Sequence, residues 1–212
     1  LCIGLLVFFL FTFFDKKLDK EEAEAGLLKE DQFRFSDIKE IAKNRAFWYI
    51  TFLCVLFYSA FFPFLKYGNN MLVQKFDVTP KNAGYMMAFF TFGAMLLTPV
   101  FGSLYDKKGK GGTIMIIGSL LLVVAHLFFA IPSIHNAVIA LIMILILGIA
   151  ISMVPSSMWP SVAKIIPEKK LGTAYAVTFW LQNFGALWGV PLLIGWVLDK
   201  YCITGSITKI VE

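Results

Sequence analysis

The strongest constraint on this chain is a set of apolar runs too long for a soluble core. Residues 46–65, 83–104, 112–132, 137–160 and 171–198 contain no Asp, Glu, Lys or Arg. Each reaches the roughly 20 residues that an α-helix needs to cross a hydrocarbon layer of about 30 Å. Within a bilayer each backbone N–H and C=O must be satisfied by protein, and a helix satisfies its own. The expected fold class is therefore an all-α membrane protein. Composition supports this: 58% of the 212 residues are hydrophobic and 22 are Phe, more apolar surface than a soluble domain of this length covers.

Leu1–Phe14 is apolar but too short to span. With no initiating Met, no charged leader and no small-residue cleavage site, it reads as the end of a transmembrane helix (1–14), not as a signal-peptide core. After Asp199 a short, mostly polar tail (200–212) remains. The chain reads as a fragment of a larger membrane protein, with a bundle of five helices over 46–199.

Charge is distributed unevenly. Loop 15–45 carries eight Lys/Arg, the turn 105–111 three and the segment 164–170 three, together fourteen of the nineteen. The positive-inside rule puts these alternate loops in the cytoplasm. Loop 15–45 also carries nine acids and no basic stripe, so nucleic acid is excluded as a partner. Cys2, Cys54 and Cys202 lie far apart, with no disulfide framework or metal-ligand spacing; packing accounts for Cys2 and Cys54. No metal site and no cofactor is expected.

Within the loop, Asp15–Asp31 is dense in mixed charge and is expected to be mobile. Phe35, Ile38, Ile41 and Ala42 then recur at helical spacing, with Ser36 as cap and Asp37 in the first turn. This amphipathic helix is expected to lie on the cytoplasmic membrane face, apolar side in the headgroups. Segment 15–45 thus reads as a cytoplasmic linker between two membrane halves.

Two spans are overlong and interrupted by proline: 46–74 by Pro63, and 137–165 by Pro155 and Pro160. Pro155 deprives the Ile151 carbonyl of its helix donor and Pro160 deprives that of Ser156. The hydroxyls of Ser156 and Ser157, or water, are expected to satisfy those carbonyls. Irregular helices in a membrane persist only against protein or a wet cavity. The alternatives are a polar pathway or plain proline kinks.

The link between the second and third full spans reads Gly102-Ser-Leu104-Tyr-Asp106-Lys107-Lys-Gly109-Lys110: tight, glycine-bounded and basic, with one acid. It resembles the cytoplasmic loop signature of the major facilitator superfamily, Gly-x-Leu-x-Asp-Arg/Lys-x-Gly-Arg/Lys-Arg/Lys. Gly111 departs where a further basic residue is usual. Tyr58-Ser-Ala-Phe-Phe-Pro63-Phe64, Met158-Trp159-Pro160-Ser161-Val162-Ala163, Ile166-Pro167-Glu168, Leu171-Gly172-Thr173-Ala174-Tyr175 and Gln182-Asn183 look like the branch that contains a lysosomal dipeptide uniporter. The resemblance implies a twelve-helix fold in two six-helix halves. This chain would be the truncated C-terminal half: part of helix six over 1–14, then helices seven to eleven over 46–199. The implied partners are a small-molecule substrate, membrane lipid, the N-terminal half of the same transporter and an accessory membrane subunit. The implied location is a multi-pass integral membrane protein, in the plasma membrane if bacterial and the lysosomal membrane if eukaryotic.

The resemblance also implies a gate. Gly102 is expected to let its helix approach a neighbour. Asp106 is expected to face the helix start at Leu171-Gly172, where the helix dipole favours a carboxylate by roughly 0.3–1 kcal/mol. Gly109 shapes the turn, and Lys107 and Lys110 pair with acids or lipid phosphates. The alternative for Asp106 is capping and solubilising a hairpin.

Candidate substrate groups come from two places. Lys66 is the only cation in an otherwise apolar helix core, a functional signal by default; the alternative is that it snorkels outward. Asn69 and Asn70 follow at i+3 and i+4; a cation and two amides suit a carboxylate such as a peptide C-terminus. Tyr58, Ser156 and Trp159 are further cavity groups. Tyr175, Thr178 and Gln182 share a helical face with Asn183 beside it, serving either a wet cavity or as interhelical bonds. His126 reads as a packing residue, and Gly185-x-x-x-Gly189 as a close-packing stripe. No acid lies deep in a span, which favours facilitated diffusion over proton coupling.

The expected function is a secondary transporter moving a small solute by alternating access, with dipeptides implied by the resemblance. The alternatives are a non-transporting scaffold or receptor of the same fold, and a carrier of sugars or organic anions. No catalytic residues are expected: the chain has no Gly-x-Ser-x-Gly elbow, no His-Glu-x-x-His pair and no paired acids within spans.

Overall fold

A computed structural model describes residues 2–24 and 35–203. The expectations for 25–34 and for the tail beyond 203 lie outside the described residues. The chain divides into two units, Leu1–Arg34 and Phe35–Glu212.

The first unit contributes one helix, α1 (Cys2–Glu24). It does not end with the apolar run, and Asp15–Glu24 is helical where a mobile segment was expected. The charged stretch is rich in Lys and Glu, both good helix formers, and Lys17 pairs with Glu21 one turn on at 3.8 Å, the spacing that supports a helix.

The second unit contains α2 (Phe35–Lys43), α3 (Arg45–Phe76), α4 (Pro80–Lys108), α5 (Gly111–Ala130), α6 (Ala137–Ile165) and α7 (Glu168–Gln182). A π-helical segment Asn183–Gly189 then leads into α8 (Val190–Val197) and a second π segment, Leu198–Ile203. Five helical stretches are long and apolar enough to cross a membrane, the fifth running Glu168–Tyr201. Among the described residues there is no strand.

Three of the long helices, α3, α4 and α6, begin at a capping side chain. Asn44 Oδ1 accepts from the Ala46 and Phe47 amides at the start of α3, and its Nδ2 donates to the Ile165 carbonyl at the end of α6. Thr79 precedes Pro80 and accepts from the Asn82 amide, while Asn136 accepts from Val138 and Ile139. These are the preferred N-cap residues meeting orphan amides.

Helix α6 is the core of the bundle. Its Ala140, Ile144, Leu147, Ala150, Val154 and Met158 are fully buried. Small residues set its spacing from two neighbours. A Cβ at Gly118 of α5 would lie 2.7 Å from Val154 Cγ2, and one at Gly148 of α6 would lie 3.3 Å from the Phe90 carbonyl of α4. Without a hydrophobic gradient between helices in lipid, such close packing is what holds them together.

The prolines do not break the helices that hold them. Pro63, Pro155 and Pro160 all sit inside continuous α-helices, as does Pro99 in α4. The serines do not serve Ile151 and Ser156 as expected. Ser156 Oγ and Ser157 Oγ donate to the Met153 carbonyl at 2.9 and 3.0 Å, and Ser161 Oγ donates to that of Ser157 at 2.6 Å. A serine in a helix reaches the carbonyl three or four residues back, and that geometry, not the position of the orphan, selects the acceptor.

Helix α2 docks on the bundle through Ile41, which is only 3% exposed and packs with Phe47, Val162, Ile166 and Ala174, while Ile38 is half-buried and Ala42 exposed. Lys170 of α7 bonds Glu40 and lies 3.9 Å from Asp37. The Trp48 indole N–H donates to the Ala42 carbonyl at the end of α2. Acids on one flank matched to Lys170, and Ile41 matched to an apolar seat, fasten α2 to its neighbours. The opposite end of the bundle has its own fastening: Lys75 Nζ donates to the Phe129 and Ile131 carbonyls, both at 2.6 Å.

Candidate functional site

Among the expected substrate residues, Tyr58, Trp159 and Tyr175 converge. Trp159 of α6 meets Tyr175 of α7 edge-on at 5.7 Å, and the Tyr175 hydroxyl donates to the Trp159 carbonyl at 3.0 Å. Trp159 also stacks on Phe179 with ring centroids 4.5 Å apart and 23° between planes. From α3, Tyr58 stacks on Phe62 at 5.2 Å, and Tyr58 and Trp159 pack on the same core cluster. The result is an aromatic wall built from α3, α6 and α7, partly exposed. Phe179 was not singled out from the sequence. Its signal was its spacing of four from Tyr175, one helical turn.

Lys66, Asn69 and Asn70 are exposed on α3. Lys66 Nζ lies 5.3 Å from the Tyr67 ring centroid, and no ion pair to it is made among the described residues. Asn69 lies eleven residues past Tyr58, which returns it to within about 20° of the same stripe, roughly 16 Å further along. Asn69 therefore continues the Tyr58 stripe, whereas Lys66 stands about 80° and Asn70 about 120° round the helix from it.

Four candidates, Gln182, Thr178, Ser156 and Asn183, stand elsewhere. Gln182 is 3% exposed and its Oε1 accepts from Cys54 Sγ at 3.1 Å. Thr178 is fully buried, 3.3 Å from the Thr51 hydroxyl. Both fasten α7 to α3, so the interhelical alternative holds for them: a buried amide in a membrane finds a neighbouring helix before it finds a cavity. Ser156 gives its hydroxyl to a backbone carbonyl. Asn183 is exposed where the π segment begins. His126 Nδ1 lies 2.9 Å from the Leu122 carbonyl, with its ring against Phe64. Gly185 approaches α3, where a Cβ would meet Val55 at 3.0 Å, whereas one at Gly189 meets only its own segment.

At the basic end, the 102–110 turn is organised around Tyr105, not Asp106. Tyr105 is 2% exposed. Its hydroxyl lies 3.3 Å from Ser161 Oγ and its ring lies under the Lys164 ammonium at 4.3 Å. Gly111 explains the departure from the signature: a Cβ there would lie 2.5 Å from the Tyr105 ring. Gly109 has φ +64 and closes α4 through its amide to the Tyr105 carbonyl at 2.7 Å, a left-handed cap that glycine adopts without strain. Asp106 is exposed, as are Lys107, Lys110 and Gly172. A Cβ at Gly102 or at Gly172 meets nothing within 4 Å, so neither glycine serves a close approach within this chain. No bond joins Asp106 to Leu171–Gly172 among the described residues. The α7 start is instead held by α2, through Lys170 and Glu40.

The bond from Lys170 and its positive charge hold the exposed Glu40 carboxyl below its ordinary value of 4.5.

Residues 1–190 match the Major Facilitator Superfamily. The lysosomal dipeptide transporter MFSD1 of Gallus gallus is 30% identical over 199 residues, covering 94% of this chain and 42% of that protein. The Homo sapiens protein of the same name is 30% identical over 186 residues, 88% of this chain and 38% of its own. A nitrite extrusion protein of Bacillus subtilis (strain 168) is 30% identical over 82 residues, 39% of this chain and 21% of its own. The chain spans about two fifths of the length of the MFSD1 relatives it matches. A match of this extent, on five membrane-length helices with the glycine-bounded basic turn between the second and third, places the chain in the major facilitator superfamily, as part of a multi-pass integral membrane protein.

Proposed function

We propose that this chain carries the second half of a dipeptide transporter that works by alternating access. The observation that carries the reading is the aromatic wall that α3, α6 and α7 build from Tyr58, Trp159, Tyr175 and Phe179. Further along α3, Asn69 continues the Tyr58 stripe, with the exposed Lys66 and Asn70 on its flanks. A zwitterionic peptide needs a cation and amides for its carboxylate and an apolar or aromatic surface for its side chains. Relatives named as dipeptide transporters support that substrate class. A further six-helix half would complete the cavity and supply the group for the peptide's amine.

The Trp159–Phe179 stack, next to the Tyr175 bond, is the narrow element of this face. It would part when the basic end opens. Asp106, exposed at that end, would find its partner on the other half and help hold the end closed. The described spans hold no acid in their interior, so the reading is facilitated diffusion.

The test is uptake by the intact protein in liposomes, with labelled dipeptides set against sugars and organic anions. Saturable dipeptide uptake that needs no proton gradient, and falls at least tenfold in Lys66→Gln and in Trp159→Ala, is expected. Flux of sugars or anions alone would reassign the substrate. No flux at all, with ligand still bound, would favour a receptor.

A further inference from the structure

We infer that the main-chain carbonyl of Ser156 accepts from the peptide N–H of the substrate, so that the carrier selects an amide over an ester of the same shape. The inference rests on the dipeptide reading above and adds to it one specificity-determining atom. Pro160 lies inside α6 and has no N–H, so the Ser156 carbonyl lacks the donor that an α-helix supplies four residues on. At membrane depth such a carbonyl persists only where protein encloses it or where it lines a wet cavity.

The hydroxyls around this carbonyl are committed elsewhere. Ser156 Oγ donates to the Met153 carbonyl at 2.9 Å, Ser157 Oγ to those of Met153 and Val154 at 3.0 and 3.2 Å, and Ser161 Oγ to that of Ser157 at 2.6 Å. The Tyr175 hydroxyl reaches this rim from α7 but donates to the Trp159 carbonyl. Burial then distinguishes the two carbonyls that proline frees. A helical carbonyl oxygen lies against the residues three and four positions on. For Ser156 these are Trp159 and Pro160, both half-buried on the open side of α6, the first already part of the aromatic wall. Pro155 deprives the Ile151 carbonyl in the same way, but Val154, three positions on, and the adjoining Ser152 are fully buried. The Ile151 carbonyl is thus the enclosed one, and the Ser156 carbonyl opens beside Trp159. A peptide whose side chain lies on the Trp159 ring would bring its main chain to this oxygen. Its amide offers a hydrogen there, whereas an ester offers only lone pairs.

The test is competition for labelled alanyl-alanine uptake by the intact protein in liposomes, with unlabelled alanyl-alanine set against alanyl-lactate, its ester isostere. Alanyl-lactate is expected to compete about tenfold more weakly, the upper effect of one net hydrogen bond. Pro160→Ala restores the amide that the Ser156 carbonyl lacks, and is expected to bring the two competitors within about twofold of each other. Pro155→Ala makes the same change one turn deeper and is expected to keep the tenfold preference. If Pro160 only shaped α6, its replacement would weaken both competitors together and leave their ratio alone. Equal competition by amide and ester in the unaltered protein, a preference that survives Pro160→Ala, or one lost equally in Pro155→Ala would overturn the inference and leave the dipeptide reading standing. No alanyl-alanine uptake at all would overturn that reading and this inference with it.

Discussion

Replacing Gly118 with Ala tests how tightly α5 and α6 are joined. The added Cβ would lie 2.7 Å from Val154 Cγ2, 3.1 Å from Met153 Cβ and 3.3 Å from the Ala150 carbonyl oxygen. None of these yields easily. Val154 is fully buried and β-branched, with one preferred rotamer in a helix; the other contacts are a Cβ and main chain. The helices must separate by several tenths of an ångström, and overpacking of this kind costs about 1–3 kcal/mol. Alanine offsets this by up to about 1 kcal/mol through helix propensity. Gly93→Ala supplies the control, because a Cβ there meets nothing within 4 Å and gains the propensity without the clash. The difference between the two variants is therefore about 1–3 kcal/mol, read as a gap in thermal midpoint of about 2–4 °C per kcal/mol for a chain of this size. Val154→Ala then removes the clashing methyl. The double variant Gly118→Ala/Val154→Ala is expected to be more stable than the sum of the singles by about 1 kcal/mol. Equal midpoints for Gly118→Ala and Gly93→Ala, or an additive cycle, would refute the close-packing argument.

The glycines of the basic turn separate by mechanism. Gly111→Ala, driven into the Tyr105 ring, is expected to cost about 1–3 kcal/mol; Gly109→Ala, at φ +64, about 1 kcal/mol; Gly102→Ala is neutral to slightly stabilising in this chain, all read from melting curves in detergent. Gln182→Leu is expected to change stability by less than about 1 kcal/mol, the scale of interhelical hydrogen bonds in membranes, and to leave dipeptide uptake within about twofold; a substrate role would abolish uptake instead. The docking of α2 follows a carboxyl whose native value is depressed by Lys170. Its contribution is full above the unfolded value of 4.5 and is lost only as pH falls through the lower native one. Hydrogen exchange over Phe35–Lys43, corrected for intrinsic rates, is expected to be unchanged from pH 7 to 5 and to rise below 4.5. Loosening already at pH 6 would show that another group controls α2.

Membrane class, helix number and the turn were legible because each rests on local pattern. A run without charge across about 20 residues has few fates, whereas the caps Asn44, Thr79 and Asn136 emerged only with the structure. Pairing between helices was not legible. Tyr175 and Gln182 share a face of one helix, yet the first meets Trp159 and the second meets Cys54; periodicity gives a face, not the neighbour opposite it. The same limit hid Phe179 and Tyr105, ordinary aromatics in a chain rich in them. Helix α2 read as amphipathic, but lipid headgroups and a protein groove reward the same pattern. The protein contact rests on Lys170, 130 residues from Glu40, a partner that periodicity does not supply.

The π segment Asn183–Gly189 has a consequence for how this sequence tolerates length change. Its bonds reach back five residues, as the Val190 amide does to the Gly185 carbonyl, so it stores one residue more than an α-helical path of equal rise. Deleting one residue from α6 would rotate everything downstream by about 100° and turn its buried side toward lipid. Deleting one residue between 183 and 189 would instead let the segment relax to α-helix, with α7 and α8 keeping their facings. In an alignment, a single-residue gap at this point would mark a change of helical pitch and leave the bundle's architecture intact.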